Sequence, residues 1–280
     1  MLPQSSTRYA IEIVPFGEFG DPRVVMELAA AAEAAGWDGL FVWDHLAYAW
    51  GMPGGDPWVI LSAAATVTDR LRLGTDVTPL PRRRPQTLAL TLATLDILSK
   101  GRVILGAGLG GVAQEFGAFG EPEDAKIRAA MLEEALIILD GFMAGRQVTF
   151  HGEHYTIENV TLNPLPVQRP RVPIWIGGES APALRRAARW DGWVIGAVNE
   201  QAEMVKTPVQ LAEQVATIRR HRTIDGPFDV AMSGCSDPGD RSMVAEYADA
   251  GMTWWLETLF GLRGSVAINK ARILAGPPAV

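Results

Sequence analysis

The sequence has 280 residues, 48% of them hydrophobic and 20% charged, which supplies a large core and argues against disorder. A net charge of −7 argues against a nucleic-acid or anionic-membrane surface, and the single cysteine, Cys235, excludes an intrachain disulfide and a multi-cysteine zinc site. No apolar run approaches the roughly 20 residues of a membrane span, and the start MLPQSSTRYA lacks the basic-then-apolar pattern of a signal peptide, so a soluble, cytoplasmic chain is expected.

In chain order, strand-length apolar runs alternate with helical patterns. Tyr9–Phe16 reads as a strand, and Asp21-Pro22 as the capped start of a helix that Gly36 stops. Gly39–Leu46 is the second strand and Pro57–Thr68 an Ala-rich helix. Leu71–Thr78 is the third strand, followed by a long helix from Pro85 to Lys100; Val103–Gly108 is the fourth. Ile127–Gly145 is a helix with Met131, Leu132, Ala135, Ile138, Leu139 and Phe142 on one face. The stretch Gln147–Pro173, rich in β-branched residues and proline, suits an inserted hairpin and extended arm. Alternation then resumes with strand Ile174–Gly177, helix Ala181–Trp190, strand Trp193–Ala197 and helix Pro208–His221. Strand Phe228–Ser233, helix Met243–Ala250, strand Thr253–Leu259 and a helix from about Gly264 to Ala275 complete the chain.

Eight strands, each followed by a helix, predict a single (β/α)8 barrel spanning residues 1–280, because right-handed crossovers keep such strands parallel and buried. A doubly wound sheet is the alternative. In a barrel the chemistry gathers at the C-terminal strand ends. There the second strand delivers Asp44 and His45 together.

A metal site is poorly supported, since His45 is the one strand-end histidine among four. His151 and His154 flank a Gly-Glu turn within the insert, which suits a structural hairpin better than a ligand pair. The run GAGLGG, Gly106–Gly111, matches a dinucleotide fingerprint weakly: it follows the fourth strand, a poor helix comes next, and no acidic strand end follows at the required distance. Its glycines instead suit a backbone that passes close to a flat ligand. In IWIGGES, a strand runs through Gly177, Gly178, Glu179 and Ser180 directly into a helix. Exposed N–H groups there, with the helix's positive end, suit a phosphate; a tight turn capped by Ser180 is the plainer reading. Arg82, Arg83 and Arg84 precede a helix start, where the dipole does not call for cations. They either meet an anionic ligand or form a solvated loop.

Several stretches together resemble the bacterial luciferase-like superfamily of flavin- and deazaflavin-dependent oxidoreductases. They are AAEAAGWDGLFVWDHL, RLRLGTDVTPLPRRRPQTLALTLATLDILSKGRVILGAGLG, EFGAFGEP, PLPVQRPRVPIWIGGES, LRRAARWDGWV and YADAGMTWWLE, in the family's order. The resemblance implies a (β/α)8 barrel that holds FMN or, alternatively, coenzyme F420. It implies cofactor phosphate at Gly177, Gly178, Glu179 and Ser180, with Glu179 contributing its backbone N–H. It implies a bulge behind the ring at GTDVT, with a non-prolyl cis peptide at Asp76–Val77 and with Thr75 and Thr78 lining the ring. Gly106, Gly108, Gln114 and Glu115 would approach the ring or its side chain, and Asp44 and His45 its reactive side. The family's sugar-phosphate dehydrogenases carry a glutamate shortly after the strand-four glycines. Gly111 stands there in this chain, which puts glucose-6-phosphate activity in doubt.

His45 is the expected proton-transfer or polarising group, since an unperturbed imidazole pKa of about 6.5 suits chemistry near neutrality. Asp44 is expected to orient it or to cap the strand. Trp50, Met52 and Trp58, from AYAWGMPGGDPW, and Trp254 are expected to wall an apolar substrate pocket. The reading is an FMN-dependent monooxygenase or reductase acting on a small organic molecule, with a flavin reductase as possible supplier and a homodimer as the expected assembly. An F420-dependent dehydrogenase or reductase is the alternative, and a non-catalytic flavin-binding barrel the third.

Overall fold

In the computed structural model, which describes residues 7–199 and 201–278, the chain forms a closed barrel. The stretch read for a signal peptide includes residues 1–6, which lie outside the described residues. The strands are β1 (Arg8–Ile13), β2 (Gly39–Val42), β3 (Arg72–Thr75), β4 (Thr78–Pro79), β5 (Val103–Gly108), β6 (Val148–His151), β7 (Thr156–Val160), β8 (Ile174–Gly177), β9 (Gly192–Gly196), β10 (Asp229–Gly234) and β11 (Trp254–Leu259). Nine of them run in the order β3-β2-β1-β11-β10-β9-β8-β5-β4, and the pairing of β3 with β5 closes the ring. β3 and β4 are two halves of one barrel strand, so the closed barrel has eight strand positions, all parallel.

Helices α1 (Pro22–Ala34), α2 (Pro57–Ala65), α3 (Pro85–Leu98), α5 (Ala125–Met143), α6 (Ala181–Ala187), α7 (Pro208–His221), α8 (Arg241–Asp249) and α9 (Val266–Leu274) separate the strands; a short turn of helix, α4 (Gln114–Gly117), interrupts the loop after β5. Their starts follow local chemistry. Asp21 accepts from the N–H of Arg23 with Pro22 in the first turn, and Asp56 accepts from Trp58 and Val59 ahead of α2. Thr207 and Gln210 form a reciprocal capping box on α7. No helix among the described residues is long and apolar enough to cross a membrane.

The expected insert is present as the antiparallel pair β6–β7. Its turn is pinned to α5 by Glu134, which accepts from the N–H groups of Glu153, His154 and Tyr155 at 2.7, 3.0 and 3.0 Å. The arm that follows is sewn to α3 by the buried Asp96, which accepts from the N–H groups of Val167 and Gln168 at 2.8 and 2.9 Å. His151 lies beside Glu158 of the paired strand. The two histidines of the insert thus belong to a hairpin clamped onto the barrel's outside.

Side-chain alternation along the strands stacks the barrel interior in layers. Ala10, Phe41, Ile104, Trp175, Val194, Ala231, Trp254 and Leu256 fill the lower part. There Phe41 stacks on Trp175 at 5.2 Å, and Trp254 packs edge-on against both. One inward position further along, β1 presents Glu12, whose register partner on β11 is Thr258. The aromatic layer closes the barrel below, so whatever enters must enter from the C-terminal face.

The third strand does not run through as the sequence suggests. β3 meets β5 at Leu73–Val103, and β4 meets it at Thr78–Ala107. Five steps on one side therefore oppose four on the other, which is a bulge of one residue. At the bulge the Asp76–Val77 peptide is cis, as the resemblance implies. The bulge also explains part of GAGLGG. A Cβ on Gly106 would lie 1.9 Å from the Thr75 carbonyl oxygen, and one on Gly108 would lie 2.4 Å from a Val77 methyl. Gly106→Ala should therefore cost more than about 3 kcal/mol of stability in urea unfolding, whereas Gly111→Ala, with open space beside it, should stay within about 0.5 kcal/mol.

Candidate active site

A cleft of about 230 Å³ opens at the C-terminal mouth of the barrel. Its wall includes Trp43, Asp44, His45, Asp76, Val77 and Pro79 on one side, and Gly110, Gly111, Gly177, Gly178, Gly196 and Ser233 on the other. Glu179, Val194 and Ile195 complete the lining, and the glycines leave stretches of bare backbone between them. A Cβ on Gly177 would come within 3.0 Å of Val77, so Val77 packs against that glycine, and Gly178 has a φ of +104° that a side chain would strain. Val77 and the glycines thus share one low surface of the cleft, suited to a flat ligand lying across it.

His45 does not pair with its sequence neighbour. Its Nδ1 lies 2.9 Å from Oε2 of Glu115, the second residue of α4. Glu115 is buried and also accepts from the Leu46 N–H at 2.6 Å and from Arg82 Nη1 at 2.8 Å. Asp44 is occupied elsewhere: Arg82 Nη2 donates to it at 3.0 Å and Arg83 donates through Nε and Nη2 at 3.0 and 2.9 Å. Arg82 therefore bridges Asp44 and Glu115, tying the loops after β2, β4 and β5 into one unit. With Nδ1 held by Glu115, the imidazole has Nε2 left for a ligand. Trp50 packs edge-on against the ring at 5.2 Å, and Trp43 lies at 5.6 Å.

Two expectations are corrected by this network. Asp44 neither orients nor contacts His45 by hydrogen bond; Glu115, expected at a cofactor edge, holds the imidazole instead. Arg82 and Arg83 are neither solvated nor free for an anionic tail, since buried carboxylates take their charge.

Other expected residues lie behind the cleft rather than on it. Thr75 and Thr78 are fully buried; Thr75 donates to the Gly106 carbonyl and Thr78 to Thr75, both at 3.1 Å, so they brace the bulge. Gly106 and Gly108 accommodate that bulge and are not among the residues that line the cleft. Gln114 is exposed, and its carbonyl accepts from the Tyr48 hydroxyl. Ser180 caps α6 through Ala183. Trp58 is buried in the core between strands and helices, and Trp254 belongs to the aromatic layer below, so neither walls the pocket. Trp50 and Met52 stay partly exposed on the loop above.

Beside the glycine loop the structure adds a cation that no motif signals. Lys206, largely buried between β9 and α7, donates to Glu179 Oε2, which also accepts from Gln214 at 3.0 Å. The Glu179 carboxylate is thus engaged by Lys206 and Gln214. Gly177–Ser180 can then present those N–H groups to an anion, with Lys206 nearby.

At the cleft floor sits Glu12, fully buried on β1. It accepts from Trp43 Nε1 at 3.0 Å and Thr258 Oγ1 at 2.7 Å. Burial, then the adjacent Asp76, raises Glu12 well above the usual carboxyl range; burial also raises Asp76. Among the described residues no group of three or more His, Cys, Asp or Glu is arranged to hold a metal ion.

Comparison with known proteins fits this geometry. The profile of the luciferase-like monooxygenase family matches residues 4–260. An F420-dependent glucose-6-phosphate dehydrogenase of Microbacterium testaceum is 36% identical over 178 residues, which cover 61% of this chain and 51% of that protein. The match therefore spans about half of that relative's length. Among solved structures, an F420-dependent secondary alcohol dehydrogenase bound to an F420–acetone adduct superposes with a TM-score of 0.80 at 20% identity, covering 99% of both chains. A monooxygenase of Streptomyces bottropensis does so with a TM-score of 0.78 at 19% identity, covering 95% of this chain and 96% of that one.

Two outcomes follow from the buried charges. Glu115→Ala strands Arg82 without one of its carboxylates and should lower stability by about 3 kcal/mol in urea unfolding, with Glu115→Gln losing less. The raised Glu12 sets a pH trend. Above the unfolded glutamate pKa of about 4.3 the unfolded chain releases a proton that the folded chain keeps. The Glu12 contribution is therefore complete below that pH and is lost as pH rises through the folded value. Urea midpoints of the wild type should fall from about pH 5 to about pH 8 more steeply than those of Glu12→Gln.

Proposed function

The chain belongs to the luciferase-like monooxygenase family, and from that premise we propose that it is an oxidoreductase that exchanges hydride between coenzyme F420 and a small organic substrate. The observation that carries this reading is a cleft at the barrel mouth lined by Val77 and bare glycine backbone, with His45 and the Gly177–Ser180 loop on its rim. Because Gly177 lacks a Cβ, Val77 packs against it, and a planar ring would lie across the low surface the two share. The preference for F420 over FMN, which the sequence had put first, rests on relatives. The 36%-identical curated protein is named for F420, and so is a structure matching the chain over 99% of both lengths.

The bound cofactor supplies hydride chemistry; the protein supplies position, electrostatics and proton control. Gly177, Gly178, Glu179 and Ser180 would hold its phosphate through backbone N–H groups, with the Ser180 hydroxyl and Lys206 beside them. Val77 would support the ring from behind. His45, held at Nδ1 by Glu115, would polarise a substrate oxygen or pass a proton at Nε2. Trp50 and Met52 would cover an apolar substrate and exclude water. Glucose 6-phosphate is a poor candidate, because Gly111 of the cleft stands where the family's sugar-phosphate dehydrogenases carry a glutamate. A simple alcohol or carbonyl compound suits the apolar surroundings better. We take the enzyme to work as a single-domain homodimer in the cytoplasm.

The second reading is an FMN-dependent monooxygenase served by a separate flavin reductase; the length-matched Streptomyces monooxygenase favours it. Fluorescence quenching with F420 and with FMN, measured separately, decides between them. Micromolar F420 binding at least about tenfold tighter than FMN binding is expected. Tighter FMN binding, with oxygen uptake from reduced FMN, would establish the second reading. With the cofactor identified, His45→Ala should keep cofactor affinity and lose turnover by about 10²-fold; unchanged turnover removes the histidine from the chemistry.

A further inference from the structure

Arg82 and Arg83 are spent on Asp44 and Glu115, so an acidic ligand tail would have to find its cations elsewhere. A surface cavity of about 510 Å³ offers them on the outer flank of the barrel, where α5, α6 and the end of α7 meet. α6 and the turn after it line this cavity with Pro182, Arg185, Arg186 and Arg189. Offsets of three, four and seven put those four residues on one helical face. α5 adds Glu133, and His221 stands at the end of α7.

Glu133 is the one carboxylate in this lining. It accepts from Arg186 Nε at 2.8 Å and from Arg189 Nη2 at 2.9 and 2.7 Å. Arg185 is exposed and makes no ion pair among the described residues. Three guanidinium groups therefore face one carboxylate, on a chain whose net charge is −7. Tying α5 to α6 needs only the buried Arg186, and helix dipoles account for a cation at a C-terminus but not for several around one cavity.

The cavity also lies along two elements that start at the cleft. Ser180 caps α6, Pro182 in its first turn already lines the cavity, and Arg185 follows roughly 8 Å along the axis from Ser180. On the facing helix, Gln214 donates to Glu179 at 3.0 Å, and His221 stands two turns further along the same face of α7. Glu179 itself lines the cleft. Both helices thus lead from the rim of the cleft to the basic cavity.

We propose that the cavity lined by Arg185, Arg186, Arg189 and His221 binds the oligocarboxylate tail of the coenzyme, a proposal that rests on the F420 reading for its ligand. F420 continues beyond its phosphate into glutamyl units, whereas FMN ends at the phosphate. With the phosphate at Gly177–Ser180, the tail runs out over the first turn of α6 and into the cavity. Arg185 and Arg189 offer planar forks that match carboxylate oxygens, and His221 adds a ring N–H. Arg186 is a positioning residue: it anchors Glu133, which in turn holds Arg189 in place. Because Arg185 and Arg189 are exposed, the contribution of the tail is sensitive to salt. The cavity then favours the tailed coenzyme over any flavin that ends at its phosphate.

The test is fluorescence titration of the whole protein with F420 carrying several glutamyl units and with the same coenzyme stripped of them but keeping its phosphate. At low salt the tailed form should bind the wild type at least about fivefold tighter, and 1 M NaCl should bring that ratio close to one. Arg185→Glu should also bring the ratio close to one at low salt. Lys100→Glu, the same change of charge at an exposed position beyond the end of α3, should keep the wild-type ratio. Equal binding of the two forms by the wild type overturns the tail site while leaving the F420 reading intact, and this arm needs no variant to fold. A ratio lowered as much by Lys100→Glu as by Arg185→Glu overturns it too, since overall charge would then be the cause. Binding of FMN with neither form of F420 bound would defeat the F420 reading and the tail site together.

Discussion

The mouth of this barrel depends on one close approach: Val77, pushed inward by a one-residue bulge, lies against Gly108 and Gly177. Each of those positions must lack a Cβ, and Gly106 must also lack one because the Thr75 carbonyl occupies that space. Core packing at native density leaves no room for compromise at such a contact. The consequences spread to three strands. β5 and β8 are held to glycine where Val77 packs, and β3 is split from β4, so Val77 and the glycines form one surface at the cleft. Asp76 at the bulge keeps its N–H on the Val42 carbonyl at 3.0 Å and also lines the cleft.

A second constraint holds the loops above the cleft. Asp44, Arg82, Arg83, Glu115 and His45 form one connected set across the loops after β2, β4 and β5. Removing such groups from water is costly, and a network of this kind stabilises only when every partner is present. Its benefit here is positional. The set fixes the imidazole by its Nδ1 and carries the Trp50 loop with it, which a hydrophobic cluster would not do with the same directionality. The same logic recurs at Glu257, where Arg263, Arg272, Ser236 and the Trp255 indole converge on one buried carboxylate and tie β11 to α9.

Much of the fold was readable from local pattern. β5, β8 and α7 begin and end where apolar runs, glycines and capping residues put them. The break in the third strand was not, because LRLGTDVT alternates and branches as an intact strand does; only the resemblance to a family pointed to a cis peptide. Strand alternation also explains the misplaced partner of His45. Side chains of adjacent residues in extended backbone diverge, so Asp44 points to the arginines while a carboxylate 70 positions away reaches the imidazole. Trp254 was misjudged for a related reason. It begins β11, at the barrel's lower layer, and residues at that end lie away from the mouth whatever their chemistry. Lys206 sits in no motif, and nothing short of the tertiary fold brings it to Glu179.

The buried acids of the barrel fall into two kinds, and the contrast bears on function. Asp44, Glu115 and Glu257 each meet guanidinium groups. Glu12 meets an indole and a hydroxyl instead. Burial among such neutral donors, with Asp76 adjacent, raises it well above the usual carboxyl range. Stability alone would favour an apolar residue at position 12, since β1 otherwise fills its inward face with Ala10 and its outward face with Tyr9, Ile11 and Ile13. A carboxyl group in that place, bonded to Trp43 of the cleft wall, is a local departure from good packing. Such departures concentrate where a fold performs chemistry, and this one adjoins the cleft at the barrel mouth.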